Sequence, residues 1–324
     1  MKLDIFAYAD LLNPNNLTVR ENIEHALLRK GIIGLSHVPQ FETLSRHYVE
    51  AARAFSTLPE NVKQQYTPNR DAGDTEGYEI GVEWFQDNNG KWKIDDKKAS
   101  FYAYIHNNYN KNKWPAEYDL KTPYLALGQL IFSATRVLLD ALQLNESLGM
   151  DLNKLVGLGR LLHYCKEGDH TNDNPDWCGA HFDNGVMTGL MPAYYFREGK
   201  EIIEPAEAGL YIIPHGSQQF QKVHVPDKSV LLFQVGDFGQ LMSDDRINAT
   251  KHIVKKTPGN IERFAFALFT DPSHDTIVYP RSRLTQDARY LHNRAEDGGI
   301  TYRQWQLASY AQYRATAKPL PAVA

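Results

Sequence analysis

Only two cysteines, Cys165 and Cys178, occur in the 324 residues. That count excludes a disulfide scaffold and suits reduced thiols in a cytoplasm. No apolar run approaches the length of a membrane span. Met1-Lys2-Leu3-Asp4-Ile5-Phe6 places acid early and lacks the apolar stretch of a signal peptide, so a cytoplasmic protein without a membrane partner is expected. Lysine and arginine gather nowhere beyond isolated pairs such as Lys97-Lys98 and Lys255-Lys256, and the net charge is −4, which argues against a nucleic-acid partner. No Pro/Ser-rich linker, internal repeat or low-complexity tract offers a place to divide the chain.

What is present is ordinary for a globular protein with a large core: 42% hydrophobic and 23% charged residues. One domain over 1–324 is expected, with helices and loops over 1–157, a β core over 158–275 and a closing helix and tail over 276–324. Residues 3–11 alternate loosely and suggest a short strand. Thr18-Val19-Arg20-Glu21 has the form of a capping box before a helix that Gly31 can end. Gly31 to Val38 is short, apolar and glycine-bounded, hence a strand, and a second helix follows over about 42–56 before Pro59. The polar, aromatic segment 67–122 predicts long ordered loops with short pieces of structure, whose run of Tyr78, Trp84, Phe85, Trp92, Phe101, Tyr102, Tyr104 and Tyr109 either lines a pocket or packs on the core. The longest helix is predicted from Thr122-Pro123 to Leu144.

From Leu158 short apolar runs are broken by Gly, Pro and Asp, at 160–164, 186–191, 209–214, 229–235, 247–254 and 263–270. This punctuation predicts an antiparallel sandwich or barrel. Residues 192–208 form a hairpin insertion by the same reasoning. A closing helix is predicted around Tyr302 to Ala311, with a loose tail from Lys318.

The chemistry centres on His181-Phe182-Asp183, the only His-x-acid pattern in the chain. On extended backbone residues i and i+2 share a face, so both can reach one metal ion. An imidazole from a distant strand, His252, would complete two histidines and one carboxylate, leaving three positions of an octahedron open, an arrangement suited to Fe(II) and oxygen. His163, His170, His215 and His224 are the nearest rivals, but none stands in a His-x-acid pair. Arg263 heads a strand in which Ala265, Ala267 and Phe269 share its face while Phe264, Phe266 and Leu268 share the other. A guanidinium there needs an anion, either a carboxylate ligand or a structural Asp or Glu.

The order of these features resembles the Fe(II)- and 2-oxoglutarate-dependent dioxygenases of the isopenicillin N synthase-like group. Gly31-Ile32-Ile33-Gly34-Leu35-Ser36-His37-Val38 is similar to that group's early strand, and Leu58-Pro59-Glu60-Asn61-Val62-Lys63 to its Leu-Pro-x-Glu-x-Lys segment. Leu162-His163-Tyr164-Cys165 resembles its tyrosine-containing strand, Gly236-Asp237-Phe238-Gly239-Gln240-Leu241-Met242-Ser243 the segment before its distal histidine, and Arg263-Phe264-Ala265 its Arg-x-Ser pair. The resemblance spans nearly the whole chain. It implies a mainly β fold with flanking helices, built on a double-stranded β-helix (jelly-roll) barrel. It further implies Fe(II) held by His181, Asp183 and His252, and 2-oxoglutarate bound by Arg263 and Tyr164. O2 and a small-molecule substrate would be the reaction partners, with hydroxylation, desaturation or ring closure the outcome. Ala265 stands in place of the usual serine and removes a hydroxyl from the cosubstrate's carboxylate, so Tyr164 or another hydroxyl compensates or 2-oxoglutarate is not the ligand. Two alternatives follow: an iron oxidase of the same fold that uses no cosubstrate, or a non-catalytic metal- and ligand-binding protein.

Overall fold

In the computed structural model, residues 1–70, 74–86, 91–106, 108–143, 151–165 and 176–317 are described. The strands in chain order are β1 (Ile5–Ala7), β2 (Ile32–Ser36), β3 (Gly77–Ile80), β4 (Trp84–Gln86), β5 (Trp92–Ile94), β6 (Lys98–Tyr104), β7 (Val156–Tyr164), β8 (Asp176–His181) and β9 (Met187–Leu190). They continue as β10 (Tyr194–Arg197), β11 (Lys200–Ile202), β12 (Gly209–Ile213), β13 (Gln221–Lys222), β14 (Leu231–Val235), β15 (Lys251–Lys255), β16 (Ile261–Asp271), β17 (Ile277–Val278) and β18 (Ile300–Thr301). Ten of them form one sheet in the order β1-β2-β14-β9-β16-β7-β6-β3, with β10 joined to β16 and β11 to β10. A second sheet runs β13-β12-β15-β8. The cavity between the two sheets is lined from both, by β7, β9 and β16 on one side and β8, β12 and β15 on the other. This is the predicted mainly β architecture with flanking helices, and it fits a double-stranded β-helix.

The alternation along β16 sets the layers. Phe264, Phe266 and Leu268 enter the main core, while Arg263, Ala265, Ala267 and Phe269 line the cavity, as the period-two pattern predicts. On the core side, helices Phe41–Ser56 and Lys121–Ala141 cover the sheet. Tyr48, Tyr124 and Phe266 meet edge to face, with ring centroids 4.9–6.1 Å apart.

Gly31 ends helix Leu17–Lys30 in the left-handed conformation (φ 67°), its N–H donating to the Leu27 carbonyl at 2.9 Å. A Cβ at this position would stand 2.0 Å from Thr250 Oγ1, so glycine is required twice over.

Several boundaries differ from expectation. The cap of the first long helix is Asn16, whose side chain accepts from Val19 N at 3.4 Å; Thr18 already lies within the helix. Residues 3–11 hold a strand of only three residues before a helical turn, Tyr8–Leu11. Segment 67–122 holds loops with short pieces of structure, as expected; the longest strand in it is the seven-residue β6, paired along its length with β7. Its flanking Asn, Asp and Gly residues dilute the apolar signal. Tyr78 and Phe101 belong to the core, whereas the side chains of Phe85 and Trp92 lie outside the described structure. The extended stretch expected at His181 is strand β8, which reaches back to Asp176 although Asp176 and Gly179 are poor strand formers. The hairpin at 192–208 is present as β10 and β11, turning through Glu198 and Gly199 at φ 51° and 77°. It is part of the large sheet, since β10 pairs with β16. The tail from Lys318 lies outside the described residues.

Candidate functional site

His181 is the last residue of β8 and His252 lies directly opposite it on β15, which brings their rings to 4.1 Å between centroids. Asp183 follows on the turn after β8. Its Oδ1 is 3.8 Å from His181 Nε2 and 3.9 Å from His252 Nε2, and one ligating atom from each of the three lies within 4.8 Å of the others.

The remaining polar atoms of these side chains are all engaged. His181 Nδ1 donates to the Gly179 carbonyl at 2.8 Å and His252 Nδ1 to the Thr250 carbonyl at 3.0 Å, which turns each Nε2 toward the cluster; Gln234 Nε2 lies 3.3 Å from that of His252. Asp183 Oδ2 accepts from Thr188 Oγ1 at 2.6 Å and Gln234 Nε2 at 3.1 Å. Thr188 and Gln234 are themselves cross-strand partners on β9 and β14. Two nitrogens and one oxygen thus converge with their orientations fixed by hydrogen bonds, a donor set that fits a divalent first-row metal.

Burial, and then the charge of His181, pushes His252 down to about 4, so this imidazole is neutral near pH 7. Burial lowers His181, but the Cys178 sulfur on the same strand, the Asp183 carboxylate and the bond to the Gly179 carbonyl together hold the ring up at about 9. Cys178 itself would be raised by burial, yet Lys98 and then His181 bring it down to about 6.

Arg263 lies farther along the cavity and is buried. Its guanidinium carbon sits 5.0 Å from the ring centroid of Tyr164, its cross-strand partner on β7. Tyr164 therefore meets the arginine through its ring. The hydroxyl at Arg263 comes from Tyr195 on β10, which accepts from Arg263 Nε at 3.3 Å and donates to Glu204 at 2.9 Å. Nη1 of Arg263 is buried without a hydrogen-bond partner among the described residues. A buried guanidinium nitrogen in that state is ready to donate to an acceptor such as a carboxylate.

Tyr195, Thr188 and Gln234 escaped sequence reasoning. The available signal was a polar residue inside a buried strand: Gln234 stands among Leu231, Leu232, Phe233 and Val235, all buried. Of the rival histidines, His163 bonds Glu262 at 3.1 Å and stacks on Phe264, while His215 and His224 are exposed elsewhere. His170 lies outside the described residues.

No protein-family profile matches the chain. An Arabidopsis thaliana protein named 1-aminocyclopropane-1-carboxylate oxidase homolog 2 is 29% identical over 192 residues, 58% of this chain; the chain spans only 44% of that protein's length. Among solved structures, a full-length Neurospora crassa protein in complex with alpha-KG and thymine matches at TM-score 0.69 and 19% identity, covering 95% of this chain and 97% of that one. JOX2 in complex with 2OG, Fe and JA matches at 0.69 and 19%, covering 98% and 90%. A Caulobacter crescentus protein ascribed to the 2OG-Fe(II) oxygenase family matches at 0.71 and 18%, covering 96% and 98%. At these identities the finding concerns architecture: the chain shares the fold of these 2-oxoglutarate and iron oxygenases from end to end.

Proposed function

We propose that the protein is an Fe(II)- and 2-oxoglutarate-dependent oxygenase that oxidises a small molecule. The observation that carries this reading is the convergence of His181 Nε2, Asp183 Oδ1 and His252 Nε2, each oriented through its other polar atom. These three residues would hold the iron. An Fe(II) ion there supplies the redox chemistry that consumes O2 and 2-oxoglutarate and oxidises the substrate.

The chain's own part is binding and orientation. Arg263 would take the distal carboxylate of 2-oxoglutarate on its free Nη1, with the Tyr195 hydroxyl, which accepts from Nε and donates to Glu204, holding the guanidinium in place. Tyr164 would back the guanidinium with its ring face. Ala265 and Ala267, with their short side chains, line the same cavity, whose volume is about 470 Å³. The Neurospora crassa and JOX2 structures, which hold a cosubstrate of this kind with thymine or JA, support a small-molecule substrate. Among the described residues no helix is long and apolar enough to cross a membrane, and the two free cysteines suit a cytoplasmic setting.

Substrate-dependent conversion of 2-oxoglutarate to succinate is the test. His181→Ala and Asp183→Ala are each expected to abolish it, and activity surviving both changes removes the metal assignment. Ala265 favours one second reading, in which Arg263 holds the substrate's own carboxylate and no cosubstrate is used. Anaerobic calorimetry separates the two, since the metal-loaded protein binds 2-oxoglutarate only under the first.

A further inference from the structure

A second group of cations, Lys98 buried and Arg160 half-buried, adjoins the same cavity, and the chemistry proposed above leaves it unused. Arg160 on β7 lines the cavity, its guanidinium over the Tyr102 ring at 5.0 Å and bonded to Ser100 Oγ at 2.8 and 3.0 Å. Lys98 on β6 is buried and lies 3.6 Å from the sulfur of Cys178, which lines the cavity three residues before His181. One carboxylate, Glu83, bridges the two cations, at 2.7 Å from Arg160 Nη2 and in contact with Lys98 Nζ.

Among the described residues, Lys98 and Arg160 share this one carboxylate, and Lys98 has the Cys178 sulfur as its other partner. Glu83 also differs from its partners in where it is anchored. It follows Gly81 on a turn, with Val82 exposed beside it, and its side chain is 43% exposed against 4% for Lys98 and 14% for Arg160. The gap between Lys98 and Arg160 therefore accommodates a carboxylate, and the one now in it comes from the rim.

The position also distinguishes this group from Arg263. Lys98 and Arg263 are both cross-strand partners of Tyr164, on its opposite sides. They are two strand spacings apart, about 10 Å. A single carboxylate is too small to bridge both.

We propose that Lys98 and Arg160 form the seat for a carboxylate carried by the oxidised substrate, a seat that Glu83 fills until the substrate displaces it. This rests on the oxygenase reading and names its substrate class: small organic acids whose carboxylate docks beside Cys178 while the rest of the molecule lies toward His181, Asp183 and His252.

The test is calorimetric, on the full chain loaded with Fe(II) and 2-oxoglutarate without oxygen, and in parallel on the metal-free chain. A panel of small aliphatic and aromatic monocarboxylic acids is titrated beside the matching primary amides. Acids are expected to bind at least tenfold more tightly than their amides. Arg160→Gln should erase that preference while 2-oxoglutarate affinity stays within twofold. Glu83→Gln should tighten acid binding severalfold by removing the internal competitor, and it decides the matter if the Arg160 variant does not fold. Equal binding of acids and amides, or a Glu83→Gln protein that binds acids no better than the parent, overturns the proposal. So does an Arg160→Gln protein that loses 2-oxoglutarate together with the acids, since the cations would then serve the cosubstrate. Failure of the oxygenase reading shows separately, as absence of metal-dependent 2-oxoglutarate binding with the acid preference of the metal-free chain intact.

Discussion

At the scale of single residues, the site divides into groups legible from spacing and groups legible only from register. His181 and Asp183 stand two apart on one stretch of chain, a spacing visible in the sequence, although Asp183 lies on the turn after β8 and is oriented by Thr188 and Gln234. Tyr195 has no such local mark: it meets Arg263 because β10 pairs with β16 in a register that sets the two opposite. If Arg263 holds the cosubstrate, Arg263→Gln removes a charge-assisted pair worth about 1.5–3 kcal/mol, a loss of about 10- to 150-fold in 2-oxoglutarate affinity measured by calorimetry. Tyr195→Phe should weaken it by a smaller factor. His163 offers a second measurement, away from the cavity. Burial pushes its ring down, but hydrogen bonds with Cys165 and Glu262 prevail and raise it to about 9. A folded-state value above the unfolded 6.5 means stability that is complete below pH 6.5 and disappears as the pH rises through 9. Melting curves over that range should show a decline of up to about 3 kcal/mol that His163→Gln lacks.

At the scale of elements, strands with clear alternation were legible and strands diluted by polar residues were not. β16 announced both its faces; β6 was hidden by Asn, Asp and Gly beside it, and only pairing with β7 makes it a strand. The link between the first helix and the metal-facing strand is tertiary in the same way. Thr250 Oγ1 donates to the Gly31 carbonyl, and the Thr250 carbonyl in turn orients His252. Gly31→Ala forces a left-handed alanine, at about 1–2 kcal/mol, and displaces Thr250 as well. Denaturant titration is expected to give a loss of at least about 2 kcal/mol, accompanied by weaker metal binding. An unchanged metal affinity would break the proposed connection between this cap and His252.

At the scale of the whole molecule, the main core draws residues from Leu11 to Trp305. One domain over 1–324 remains our proposal, and a single cooperative melting transition is its expected signature. Metal that binds only the folded chain should raise that transition; at a hundredfold excess over Kd the gain is about 2.7 kcal/mol, several degrees for a protein of this size. A chelator should reverse the rise, and His252→Ala should not show it. The grip on Asp183 has a further consequence. Because Thr188 and Gln234 already claim Oδ2, the carboxylate can offer an ion a single oxygen and cannot clasp it with both. Calcium, which favours six to eight oxygen donors and often a two-pronged acid, finds little here, so the hydrogen bonds behind one aspartate discriminate among ions before any substrate arrives.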